Sequence, residues 1–204
     1  MMLVKTTDPK SIALASEAVR KGDLIVYPTD TIYGIGADAR SETAVRKVDT
    51  LKNREGKPIS IVVTDMAMAE QYCVVSPLAA KYAKQLLPGP YTFVLDRKGE
   101  KIARSAAGDT IGIRIPKNDF TLTLVHQLGF PIISTSANIS GKPPACDMEE
   151  LDGSIRDGVA VVVDGGPCAL RESSTVVDMR GNTPVVLRRG AGYARLLELQ
   201  KSLL

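Results

Sequence analysis

Three runs, Val159-Ala-Val-Val-Val163, Thr175-Val-Val-Asp178 and Pro184-Val-Val-Leu187, follow one another with no helical pattern between them. Short β-branched runs bounded by Gly, Pro, Ser and Asp read as strands. Their direct succession predicts antiparallel pairing in this part of the chain, with a terminal helix from about Tyr193. Toward the N-terminus the pattern changes, and helix and strand alternate. Asp8-Pro9 ahead of Ile12, Leu14, Ala15, Ala18 and Val19, with Gly22 beyond, reads as a capped helix. Leu24 to Tyr27 then reads as a strand, the stretch through Gly34 and Gly36 as a polar loop, and Ser41 to Leu51 as a helix. Ile59 to Val63 reads as a strand, and Ser76-Pro77 opens a helix that ends near Leu87 at Pro88-Gly89-Pro90. Strands are expected at Tyr91 to Leu95 and Thr110 to Ile115, a helix from Asp119 to Leu128 with Gly129 beyond it, and Ile132-Ile133 leading into a Ser/Asn/Gly loop. Together these patterns predict an α/β fold with a mixed, parallel and antiparallel, open sheet and flanking helices in one domain over 1–204.

Composition limits the function classes. At 204 residues, 44% hydrophobic and 24% charged, the chain can bury a full core. The odd number of cysteines, Cys73, Cys146 and Cys168, has no CxxC pair. That argues against a disulfide framework and a zinc site, and for a reducing, cytoplasmic setting. No apolar run approaches the roughly 20 residues that cross a bilayer, so no membrane partner is expected. A single histidine, His126, in a helical pattern gives no Ser/His/Asp arrangement. No resident metal site is expected, whereas magnesium carried by a phosphate substrate is compatible with the residues. The net charge of +3 favours an anionic partner only weakly.

Three segments carry candidate chemistry. Gly34-x-Gly36-x-x-Ala39 has the letters of a dinucleotide fingerprint. It neither leaves its strand directly nor enters its helix within the glycines, so that reading fails on context. The two threonines and two glycines crowded after a strand fit either a ligand loop or an Asx-type turn. Lys52-Asn-Arg54 follows a helix, where cations are favoured by the macrodipole alone, yet a point charge beside a bidentate fork is what triphosphate or carboxylate recognition needs. Ser134-Thr-Ser-Ala-Asn-Ile-Ser-Gly141 is dense in short hydrogen-bonding side chains that let a ligand approach the backbone.

The order of Tyr27 to Ala39 (YPTDTIYGIGADA), Lys52-x-Arg54, Leu87 to Leu95 (LPGPYTFVL), Ile111 to Pro116 (IGIRIP), Ser134 to Gly141 (STSANISG), Ser174 to Asp178 (STVVD) and Leu187 to Gly190 (LRRG) resembles the YrdC-like threonylcarbamoyl-AMP synthase family across nearly the whole chain. The resemblance implies a twisted sheet enclosing a concave basic cavity. It implies a nucleotidyltransferase that makes threonylcarbamoyl-AMP and pyrophosphate from ATP, L-threonine and bicarbonate, with Mg2+ on the ATP, for threonylcarbamoyladenosine in tRNA. A downstream threonylcarbamoyl transferase complex would take the product. By the same resemblance Lys52, Arg54, Ser136 and Asn138 form a catalytic tetrad on the ATP side. Thr110 and Arg188 also contact ATP, and Thr31, Arg114, Ser136 and Ser174 contact threonine. The form resembled is the short, single-domain one, in which product retention depends on a mobile segment or on the next enzyme.

The chain departs from the family pattern at four positions. Lys57 stands where a neutral nucleotide contact is expected, and Val62 where histidine can stand. Cys146 replaces a Ser or Thr that often contacts ATP, and Arg189 replaces the proline of an LRPG segment. An alternative reading is a module that binds double-stranded RNA or tRNA by shape and phosphate contacts, with Arg97, Lys98, Lys101 and Arg104 as its footprint.

Overall fold

Side-chain caps start several of the helices. In the computed structural model, which describes residues 1–54, 56 and 58–203, the first strand and helix are β1 (Met2–Lys5) and α1 (Ser11–Arg20). Two short strands, β2 (Ile25–Tyr27) and β3 (Gly34–Gly36), lead to α2 (Glu42–Lys52). Ser41 Oγ accepts the Ala44 N–H at the start of α2. Next come β4 (Ser60–Val62), α3 (Met66–Ala69), β5 (Cys73–Val74) and α4 (Pro77–Leu86), the last capped by Ser76 with proline in its first turn. After β6 (Tyr91–Arg97) and β7 (Thr110–Arg114), α5 (Asp119–Leu128) starts on the Asn118 cap and stops at left-handed Gly129. The chain then forms β8 (Ile132–Ser136), a 3-10 turn at Met148–Glu150 and α6 (Gly153–Asp157). It ends with β9 (Val161–Asp164), β10 (Thr175–Asp178), β11 (Val185–Arg188) and α7 (Tyr193–Leu203).

Among the described residues, eleven strands form one mixed sheet in the order β1-β9-β2-β3-β8-β4-β7-β6-β10-β11, with β5 added to β6. The expected antiparallel succession at the end of the chain holds only for β10 and β11. β9 instead lies parallel between β1 and β2, and β10 lies parallel to β6. The reason is burial. Val161, Val162 and Val163 are all buried, as a strand covered on both faces requires, and the residues between β9 and β10 cross to the other side of the sheet.

Two further expectations are corrected. Asp8-Pro9 does not cap α1: Asp8 Oδ1 accepts the Lys10 N–H at 2.8 Å, which closes a turn, and the helix begins at Ser11. The expected loop through Gly34 and Gly36 is a strand, antiparallel to both β2 and β8. Its glycines make room for Tyr27, which is fully buried; a Cβ at either would come within 3.0 Å of that ring. β1, α3, β5 and α6 carry too few residues to show a period of their own. One buried cluster runs from Val4 to Leu199.

Candidate active site

Alternation along β6 and β7 divides their side chains between two faces, whereas on β8 Ile132 and Ile133 both belong to the core and Ser134, Thr135 and Ser136 all line the cavity. Phe93 and Leu95, Ile111 and Ile113, and Ile133 join Ile61 in the core. Their neighbours Thr92 and Val94, Thr110, Gly112 and Arg114, and Ser134 and Ser136 line a cavity of about 420 Å³. The registers set Ser134 opposite Ser60, and Gly112 opposite Val94. A Cβ on Gly112 would lie 2.6 Å from Ser60 Oγ, so the glycine keeps the cavity floor open. Val176, Leu187 and Arg188 contribute from β10 and β11, and Ser173-Ser174 from the segment before β10.

Arg114, 7% exposed, ends β7 in the cavity wall. Its Nη2 donates to Thr31 Oγ1 at 2.9 Å and to Asp30 Oδ1 at 3.4 Å, and its Nη1 to Ser134 Oγ at 3.5 Å. Its buried Nε has no partner among the described residues. An unmet buried donor costs about 1–3 kcal/mol, more on a charged group. Arg188 reaches the same cavity with Nη2 bonded to the Ser174 carbonyl at 2.9 Å and to Ser174 Oγ at 3.1 Å. Ser174 Oγ is itself 2.9 Å from Thr92 Oγ1. Burial, and then the Arg114 charge, lower the Arg188 pKa, as expected where two cations share one space.

A second cavity, of about 530 Å³, adjoins the first through Pro58, Thr135 and Ser136, which line both. Its other walls are Lys52 to Arg54 and Asn138, Ser140 and Gly141. α2 ends on Asn53 in the left-handed conformation, φ 50° and ψ 50°, one of the few non-glycine residue types that tolerate it. That turn brings Arg54 back along the helix, where its Nε lies 3.0 Å from Asp49 Oδ1. Lys52, 4% exposed, directs Nζ to the carbonyls of Ser136 and Asn138 and to Asn138 Oδ1. Burial and then the Arg54 charge push its pKa down to about 8.

The fold therefore brings Lys52, Arg54, Ser136 and Asn138 together at one end, and Thr110, Arg114, Ser174 and Arg188 at the other, with Ser136 between them. Thr31 stands apart. It is fully buried behind Arg114, bonded to it and to Thr29 Oγ1, and does not line the cavity. Cys146 is buried, its N–H bonded to Glu150, and lines neither cavity, and neither does fully buried Val62. Arg189 lies over the Tyr193 ring at 5.0 Å. Lys57 lies outside the described residues. Thr135 lies in the Ser134 to Gly141 run, whereas Ser60, Thr92 and Gly112 are not among the sequence's candidate residues; the polar-apolar alternation in Thr110-Ile-Gly-Ile-Arg114 and in Thr92-Phe-Val is the signal that points to this face.

The walls offer hydroxyls, carbonyls and cations, a donor set that suits phosphate oxygens and any metal they carry rather than a bare cation. Among the described residues no three His, Cys, Asp or Glu side chains gather to hold a metal. No helix among them is long and apolar enough to cross a membrane.

The Sua5/YciO/YrdC family model, described as telomere recombination, matches residues 17–190. The chain belongs to this family. It is 35% identical over 191 residues to a threonylcarbamoyl-AMP synthase of Bacillus subtilis, a match covering 92% of this chain and 55% of that one. It is 37% identical to a putative threonylcarbamoyl-AMP synthase of Methanocaldococcus jannaschii, over 89% of this chain and 86% of the relative. A crystal structure of Pyrococcus abyssi Sua5 complexed with L-threonine superposes with a TM-score of 0.86 at 32% identity, over 93% of this chain and 57% of that one. The chain thus spans about half the length of the Bacillus and Pyrococcus relatives. The mixed sheet with flanking helices is the Sua5/YciO/YrdC fold.

Proposed function

We propose that this chain synthesises threonylcarbamoyl-AMP and pyrophosphate from ATP, L-threonine and bicarbonate. The observation that carries the reading is the pair of joined cavities, with an unsatisfied buried arginine in the wall of one and a Lys/Arg pair in the other. Arg114, in the cavity wall, would take the threonine carboxylate. Arg54, Arg188 and the Ser136 to Asn138 turn would face the nucleotide, with magnesium arriving on its phosphates. Lys52 holds positive charge beside the same turn.

The chemistry suits such a site. The threonine amine takes up the bicarbonate carbon with loss of water, giving a carbamate. A carbamate oxygen attacks the α-phosphorus of ATP, and pyrophosphate leaves with the electron pair of the broken P–O bond. A carbamate is unstable in water, so a walled cavity limits its decay, and the surrounding cations stabilise charge developing on phosphate. With no nucleophilic residue required, positioning and charge carry the rate.

The product, a mixed anhydride, calls for a transferase that moves threonylcarbamoyl to tRNA, and we assign the chain to the cytoplasm, where its three free thiols remain reduced. The test is pyrophosphate release by purified protein with magnesium present. Release that needs threonine and bicarbonate together supports the synthase. Folded protein that releases none under any condition overturns it in favour of an RNA-binding module.

A further inference from the structure

Lys52 uses its whole donor capacity on the protein. A lysine ammonium has three N–H donors. Here they meet the Ser136 carbonyl, the Asn138 carbonyl at 2.6 Å and Asn138 Oδ1 at 3.2 Å. The main chain adds a fourth tie, since the Lys52 carbonyl accepts the Ser140 N–H at 2.9 Å. Asn138, oriented by Lys52 through Oδ1, turns Nδ2 to the carbonyls of Ile139 and Lys142. The segment from Ser136 to Lys142 is therefore wrapped around one buried lysine. A phosphate could take a donor from Lys52 only by displacing an oxygen of that segment, leaving a buried acceptor unmet.

We infer that Lys52 is a positioning residue: it clasps the 136–142 segment so that Ser136, Asn138 and Arg54 face a single cavity, and it leaves direct contact with the anion to Arg54 and to groups of the segment itself. The inference rests on the proposed function, in which the second cavity receives the triphosphate. It assigns different work to the two cations of Lys52-x-Arg54. Arg54 Nε lies 3.0 Å from Asp49 Oδ1 as an ion pair without a hydrogen bond, and the Arg54 guanidinium has no hydrogen-bond partner among the described residues.

The test separates clasp from ligand. In the nucleotide-free protein, Lys52→Met should speed amide hydrogen exchange of Ala137 to Ser140 by tenfold or more, whereas Arg54→Met should change it by less than twofold. Both substitutions should weaken binding of magnesium tripolyphosphate at least tenfold. In wild-type protein carrying 15N-lysine, the Lys52 ammonium resonance should be visible without ligand and hold its shift when magnesium tripolyphosphate saturates the site. This last measurement decides the matter if Lys52→Met does not fold. Unchanged exchange in folded Lys52→Met, a large ammonium shift on binding, or a wild-type protein that does not bind tripolyphosphate would each overturn the inference. Wild-type protein that binds tripolyphosphate yet releases no pyrophosphate from ATP overturns the functional reading alone and leaves the clasp standing.

Discussion

Two groups of basic residues in this molecule have similar composition and different neighbours. In the cavities, Lys52 and Arg188 lean on carbonyl and amide oxygens, so their charge is oriented without being cancelled, while Arg54 and Arg114 each have one carboxylate beside them, Asp49 at 3.0 Å and Asp30 at 3.4 Å. In the stretch from Arg97 to Arg104, Arg97 and Arg104 both pair with Glu100, and Arg104 also approaches Asp109 at 3.7 Å. The side chain of Arg97 is 4% exposed and donates to the carbonyls of Ala107 and Ile102, so it braces a loop. Lys98 donates to the Glu70 carbonyl. Among the described residues, Lys52 and Arg188 are the two cavity cations without a carboxylate beside them, and that sets them apart from Arg97 and Arg104. Of the four residues Arg97, Lys98, Lys101 and Arg104, Arg97, whose side chain is buried, is the one whose guanidinium is taken up by the protein.

The contrast can be broken from either side. Arg54→Ala should have the largest effect, with threonine-dependent pyrophosphate release falling by about two orders of magnitude, in the range seen when one oriented charge is lost from a transition state. Arg114→Lys keeps a counter-charge for Asp30 and removes the fork; threonine affinity by titration calorimetry should drop roughly tenfold or more, with nucleotide affinity nearly unchanged. Gly112→Ala fills the floor next to Ser60 Oγ, so substrate KM should rise several-fold in a protein that still melts cooperatively.

A smaller effect concerns pH. The unfolded chain keeps the Lys52 proton to near 10.5, whereas the fold releases it near 8. Between those values the unfolded state binds more protons, so this group's contribution to stability rises with pH across that window. Chemical denaturation of wild type and Lys52→Met from pH 7 to 10 should show the difference between them shift in that direction. Smallest of all, Lys101→Ala with Arg104→Ala should leave nucleotide affinity within twofold and stability within about 0.5 kcal/mol, because both side chains are exposed.

What could be read from the sequence follows how local each cause is. The Ser76-Pro77 start of α4 and the Gly129 stop of α5 are set by a few adjacent residues, and β10 carries its own β-branched run. β3 is invisible for the opposite reason: two of its three residues are glycine, and it is a strand because β2 and β8 flank it and Tyr27 needs the space. β9 was legible as a strand, but its partners were not, since parallel neighbours depend on the path of the whole chain. The site divides in the same way. Lys52-x-Arg54 and the Ser134 to Gly141 run stand out as clusters in sequence, and the resemblance supplied Arg114 and Arg188. That Thr31 stands behind Arg114 instead of in the cavity wall depends on a contact between residues 83 positions apart.

The division of β6 and β7 into a core face and a cavity face has a consequence for how such a chain can vary. Because neighbouring residues serve opposite faces, inserting or deleting one residue in either of these strands would exchange the two sets, sending isoleucines into the cavity and an arginine toward the core. A pair of residues gained or lost would keep the phase. Point changes on the cavity side, by contrast, leave the core's contacts in place, so the chemistry of the pocket and the stability of the sheet can drift on separate tracks while strand length stays locked.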